Sequence, residues 1–254
     1  MLLRSITKHV KDQNWFAVAL DFFIVVVGIL IAFQITNWNE AQTDAIREKE
    51  ILAELLDDLQ ADQAALSASA ALNDLGIDAG NMLLVGAGFE PVQSLSTPVQ
   101  SNSFATNVLE APLPLQPTDD IRGELWKHMA IRLYPRHNDA TIESLIAAGN
   151  SSIIKNTSLL GDLQRYRTLW DGVEDAQVNT FRPLRDRMIF AGQAHGLSPL
   201  TPVDLDVVAE AVRTDPALKG ALKTMVEYTI VHQGFCDQLQ RQSEALEARI
   251  EGEL

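Results

Sequence analysis

The side chains that could do chemistry are five histidines, one cysteine and 34 carboxylates in a chain of 254 residues. His232 and Cys236 stand four apart, which on a helix places both on one face, a spacing able to hold a metal ion. No second pair accompanies them. With Thr229 they also read as a weakly polar layer in a helical core. His128 and His137 flank Pro135 and are read as lining a loop. The sequence contains no His-Glu-x-x-His, no Cys-x-x-Cys, no Gly-x-x-x-x-Gly-Lys and no Gly-x-Ser-x-Gly. Gly86-Ala87-Gly88 runs into Phe89-Glu90-Pro91, where a phosphate-cradling loop would need a helix to begin. No catalytic residue, metal or cofactor is expected, and one cysteine allows no intramolecular disulfide.

The elements that must position these groups are read from hydrophobic spacing. Leu218, Leu222, Met225, Thr229, His232, Cys236, Leu239, Ser243, Leu246 and Ile250 alternate steps of four and three. That period of 3.5 predicts a coiled-coil seam. Ala45, Glu48, Leu52, Leu55, Leu59, Asp62 and Leu66 step in the same way and predict a helix that pairs antiparallel with the C-terminal one. Between them, helices are predicted from a Thr118 cap through Leu133, from Asp139 to Gly149, and from Leu159 to Met188 with a kink at Pro183. Thr201-Pro202 and Asp215-Pro216 each read as an N-cap followed by proline at the first helical position. Five of the ten prolines fall between Pro91 and Pro117, so residues 86–118 read as irregular. No run of alternating β-branched residues competes, and the fold expected is all-α.

Charge is unevenly distributed. Residues 1–14 carry Arg4, Lys8 and Lys11 against Asp12, residues 15–38 carry only Asp21, and residues 39–254 carry 17 basic against 32 acidic residues. So acidic a region repels phosphate backbones, and nucleic-acid binding is not expected. The run from Phe22 to Trp38, FFIVVVGILIAFQITNW, spans roughly 26 Å as a helix, close to the thickness of a hydrocarbon core. Its 12 uninterrupted apolar positions, Phe22 to Phe33, are unusual for a core helix. With Trp15 and Trp38 as interfacial aromatics, residues 15–38 read as a transmembrane helix in contact with the lipid bilayer. No small-x-small cleavage site follows, so the span reads as an uncleaved signal anchor, and the Lys/Arg bias sets the N-terminus inside. Asp21 reads as marking the inner interface if the span begins at Phe22, and as an ionisable group within the lipid that needs a partner if it begins at Trp15. Gly28 and Ala32 form a small-x-x-x-small pair that permits close approach of a second helix.

Val25 to Glu40, VVVGILIAFQITNWNE, together with the basic segment before it, resembles the N-terminal signature of a large uncharacterised bacterial family of single-pass membrane proteins. Thr141-Ile142-Glu143-Ser144-Leu145, Gly149-Asn150 and Ile153-Ile154-Lys155-Asn156, with Leu160 and Tyr166, resemble that family's internal pattern. The resemblance covers the start and the middle of the chain and thins between residues 75 and 118. It implies a bacterial inner-membrane protein with a cytoplasmic segment 1–14, a span 15–38 and an acidic helical domain 39–254 outside. No catalytic residue comes with it. The expected role is an interaction or scaffold module with a protein partner or a second copy of itself. The alternatives are a ligand-sensing bundle, binding near Arg165, Tyr166, Arg167 and Trp170, and, last, a hydrolase or metalloenzyme.

Overall fold

Apolar residues three and four apart build helices, and nearly every element of the computed structural model is one. The structure describes residues 15–96, 108–110, 121–149 and 151–254. The basic segment 1–14 and most of the Pro-rich segment lie outside the described residues. In chain order the helices are α1 (Trp15–Gly86), α2 (Leu125–Ala130), α3 (Ala140–Ala147), α4 (Thr157–Ala176), α5 (Arg182–Gln193), α6 (Leu205–Thr214) and α7 (Pro216–Glu251). A 3-10 turn, Ser151–Ile153, precedes α4, and a π turn, Gln177–Phe181, joins α4 to α5. The class is all-α, with one addition that the sequence pattern did not announce. Strands β1 (Ser94–Ser96) and β2 (Val108–Glu110) pair antiparallel, Leu95 opposite Leu109, inside the segment expected to be irregular. A ladder of three residues is too short to show a period of two.

The described residues divide into two units, one ending at Glu50 and the other Ile51–Leu254. In the first, α1 carries a stretch long and apolar enough to cross a membrane, with mean hydropathy 2.3 and none of its residues buried. Phe22, Phe23, Ile24, Phe33 and Trp38 are each more than half exposed, and Asp21 is exposed too. Such a surface is stable only when something apolar covers it. Thr36 turns its hydroxyl back onto the Ala32 carbonyl at 3.0 Å, which satisfies the group without water. Among the described residues no neighbouring atom lies within 4 Å of a Cβ placed at Gly28.

In the second unit the helices close around two hydrophobic cores. Leu52, Leu55, Leu59 and Leu66 of α1 meet Ile142, Leu159, Leu163, Trp170, Leu239, Leu246 and Ile250 in the first. Ile77, Leu83 and Leu84 meet Trp126, Met129, Met188, Val208, Leu218, Leu222, Met225 and Val226 in the second. α7 runs antiparallel to this part of α1. Ser243 Oγ donates to the Leu59 carbonyl at 3.3 Å, Gln63 Nε2 to Glu247 at 2.7 Å, and Gly80 faces Val226. All ten seam positions from Leu218 to Ile250 are buried. Their apolar ends lie in different cores, and their polar middle lies between.

Several predicted boundaries differ, each for a local reason. α2 starts after Glu124 and ends at Ala130, well short of Leu133, because Ile131 turns to extended backbone, and Pro135 keeps the residue before it out of the helical region. Thr201-Pro202 does not cap a helix. Asp204 does so, three residues after Thr201, accepting from Asp206 N–H at 2.8 Å. Asp215 caps α7 as expected, accepting from Ala217 N–H ahead of Pro216. At Pro183 the missing N–H and the ring's clash with the carbonyl four residues back are absorbed by the π turn just before it.

Gly192 sits where α5 crosses the ring of Trp126, a fully buried side chain. A Cβ at that position would lie 2.3 Å from Trp126 Cζ2. Gly192→Ala is therefore expected to lower stability by ~1–3 kcal/mol despite alanine's better helix propensity. A denaturation midpoint equal to wild type would mean the ring moves aside freely.

Candidate functional site

Three places in the second unit gather polar groups. The first is the layer between the cores. His232 on α7 meets Asn73 of α1 through Nδ1 at 3.0 Å and Gln177 of the π turn through Nε2 at 3.3 Å. Phe181 and Tyr134 pack edge-on against its ring, with centroids at 5.0 and 5.6 Å. Burial, with repulsion from Arg132, pushes the imidazole down to about 4, so it is neutral at pH 7. Cys236 Sγ lies 3.7 Å from Ser69 Oγ, and burial pushes the thiol up to about 11. The expectation that His232 and Cys236 share a face holds in space, but an imidazole with both nitrogens engaged and a protonated thiol are a hydrogen-bonded layer, not a ligand pair. Among the described residues no three His, Cys, Asp or Glu side chains come together as a metal centre would need.

The second place is built around Asp62. One turn apart on α1, Asp58 and Asp62 hold the extended segment before α3. Asn138 donates its N–H to Asp62 Oδ1 at 2.7 Å and its side-chain amide to Asp58 at 2.9 Å, while Thr141 N–H reaches Asp58 at 3.1 Å. Tyr166 of α4 donates its hydroxyl to Asp62 Oδ2 at 2.9 Å, and His137 Nε2 stands 3.4 Å from the same oxygen. The His137 ring stacks on Trp170, 8° from parallel at 5.4 Å, and the backbone N–H of His137 donates to Glu174 at 2.9 Å. Asp62 is 1% exposed. Burial drives its carboxyl up to about 7 against the pull of Asn138 and Tyr166, with Asp58 and Asp139 adding repulsion. Burial also lowers His137, opposed by Asp139, Glu174 and Asp171.

A carboxyl that titrates near neutrality beside an imidazole can hold or release a proton. The adjoining cavity measures about 20 Å3, room for a single water and not for a substrate. This cluster fastens the α3 segment to α1 and α4 by a bond set that depends on protonation. Sequence spacing could not have assembled it, since His137 and Tyr166 lie 75 and 104 positions from Asp62.

The third place is open. A groove of about 930 Å3 runs between α4 and α7, lined among others by Gly161, Leu169, Gly172, Phe235, Gln238 and Ala245. Among the described residues no heavy atom would touch a Cβ at Gly172. Asp162 in the groove pairs with both Arg165 and Arg249. Of the residues named for a ligand-sensing bundle, Arg165 lines this groove, Tyr166 and Trp170 are buried in the first core, and Arg167 points to Asp139 at 3.6 Å. No family model, curated protein or solved structure matches the chain.

Proposed function

We propose that the protein is a membrane-anchored helical interaction module of the bacterial envelope. Residues 15–38 act as its signal anchor in the inner membrane, residues 1–14 face the cytoplasm, and residues 39–254 lie outside. The exposed apolar length of α1 and the Lys/Arg bias before it support the anchor and its orientation. The resemblance of Val25–Glu40 to a bacterial single-pass family supports the setting. What carries the interaction reading is the groove between α4 and α7. Its glycines and Ala245 let a partner helix approach closely, Leu169 and Phe235 give it apolar surface, and none of its residues forms a nucleophile–base pair.

Full-length protein isolated in mild detergent is expected to bring one partner, or a second copy, in stoichiometric amount. Gly172→Leu fills the groove at a point with free space and improves helix propensity, so it should leave the melting temperature at or above wild type and cut partner recovery at least fivefold. Recovery unchanged by that substitution would remove the groove from the interface, and isolation alone would remove the interaction reading. A second reading, ligand sensing, draws on the same groove, because its volume lies within the range of small-molecule sites and two guanidinium groups flank Asp162 in it. A metabolite that raises the melting temperature of wild type but not of Gly172→Leu would favour it.

A further inference from the structure

Arg132 follows α2 and seats its guanidinium between three elements. Nη1 donates to the carbonyls of His128 and Ile131 at 2.9 and 2.8 Å, and Nη2 donates to Thr229 Oγ1 at 3.1 Å and meets Met129 Sδ at 3.4 Å. On the α1 side the group occupies the space that a side chain at Gly76 would fill, with Nη1 2.3 Å from that Cβ position. No carboxylate pairs with it among the described residues. Among the described residues its buried Nε–H has no acceptor, and the buried hydroxyl of Tyr134, two residues on, has no partner either.

Two more guanidinium groups converge here from α5. Arg182 lies over the Tyr134 ring, 5.4 Å from its centroid, and no carboxylate pairs with it among the described residues. Arg185, three residues later on the same helix face, places Nε and Nη2 on Asp186 at 3.1 and 2.8 Å. The π turn Gln177–Phe181 immediately before Arg182 sets which face of α5 these arginines occupy, and such turns concentrate at functional sites. Burial pushes Arg132 down to about 10, so it stays charged at neutral pH, and pushes the Tyr134 hydroxyl up, so it stays a donor.

Arg132, Arg182 and Arg185 all act electrostatically on Tyr134, with Asp186 acting against them, so three positive charges gather about one ring beside that carboxylate in a chain of net charge −14. Buried charge is normally paired, and the two orphaned groups are both donors. A tetrahedral oxyanion offers acceptors only and matches guanidinium forks. We propose that Arg132, Tyr134, Arg182 and Arg185 form a binding site for a small dianionic oxyanion of the phosphate class, free or as the headgroup of a phosphomonoester lipid.

The test is titration of full-length protein in nonionic detergent with inorganic phosphate at constant ionic strength, followed by the Arg Nε–H resonances and by the melting temperature. The expected result is a saturable shift of a few arginine Nε–H signals and a melting temperature several degrees higher, with chloride and acetate far weaker. Arg182→Gln with Arg185→Gln should weaken phosphate binding at least tenfold. Tyr134→Phe removes only an unpartnered hydroxyl, so it should weaken binding severalfold without lowering the melting temperature in the absence of phosphate. Micelles doped with phosphatidic acid separate the two sources: displacement of phosphate by the lipid identifies a headgroup site, and no displacement identifies a site for the free ion. Equal response to chloride, or phosphate binding unchanged in the arginine double variant, would overturn the proposal, leaving ordered water as the acceptor for both groups.

Discussion

Replacing Asp62 by asparagine stabilises the folded domain, and the gain grows with pH. The carboxyl titrates at about 7 in the folded chain against an ordinary value of 3.8. Between those values the folded state keeps a proton that the unfolded state has lost, so wild-type stability falls as pH rises through that window. Below it both states are protonated, and above it the full cost of a buried carboxylate is present. Asparagine keeps an acceptor for Asn138 N–H and presents an amide to Tyr166, whose oxygen can accept. At 1% exposure little solvent screening applies, and each pH unit in the window is worth ~1.4 kcal/mol. The difference between variant and wild type should rise from about 1 kcal/mol at pH 4.5 to a plateau of a few kcal/mol above pH 7.

Two histidines act in the opposite direction. His232 and His137 have lowered values in the folded state, so each adds stability as pH rises toward its ordinary value of 6.5. Wild type should therefore show a flatter pH profile than the Asp62→Asn variant, which keeps the rising contribution and loses the falling one. Denaturant midpoints of both proteins from pH 4.5 to 8 check this. Parallel profiles would mean that Asp62 is ionised throughout and solvated in some way its burial does not suggest.

Trp170→Ala should cost about 3–5 kcal/mol, among the largest losses any single truncation here can produce. The ring is fully buried, packs edge-on against Tyr166 at 6.4 Å and carries the stacked imidazole of His137. Removing it leaves a cavity in the first core and frees the segment that Asp58 and Asp62 hold. Trp170→Phe should cost much less. Its indole N–H faces the Tyr166 hydroxyl without completing a hydrogen bond, so phenylalanine gives up area but also removes a buried, unsatisfied donor. Thermal or urea unfolding of the two variants separates these contributions. An alanine variant within 1 kcal/mol of wild type would show that neighbouring side chains collapse into the space.

The long helices could be inferred from the sequence because each buries one face along its whole length. The steps Leu52, Leu55, Leu59, Asp62 and Leu66, and the ten from Leu218 to Ile250, record that face residue by residue. Short elements depend on contacts made elsewhere in the chain. α2 ends where Arg132 leaves the helix to reach Thr229, ninety-seven residues away, and nothing near Arg132 signals that bond. Two competing caps, Thr201 and Asp204, lie three residues apart, and the carboxylate that reaches Asp206 N–H starts the helix. The polar sites show the same division. Asp62, His232 and Cys236 stand out as polar residues in apolar registers, and that irregularity was the available signal. Their partners Asn138, Tyr166, Asn73 and Gln177 come from other elements, so the composition of each cluster could not be anticipated.

The layer of Ser69, Asn73, Gln177, His232 and Cys236 has a consequence for how the domain opens. Apolar contact is the main source of cooperativity in a bundle, and at this level it is interrupted by small polar groups whose hydrogen bonds water can replace. The two cores are thus separate foldons strung on α1 and α7. Backbone amides of α6, which pack only in one of them, exchange with solvent through openings that leave those of the first half of α4 protected, and a proton lost from Asp62 loosens one half while the other keeps its own stability.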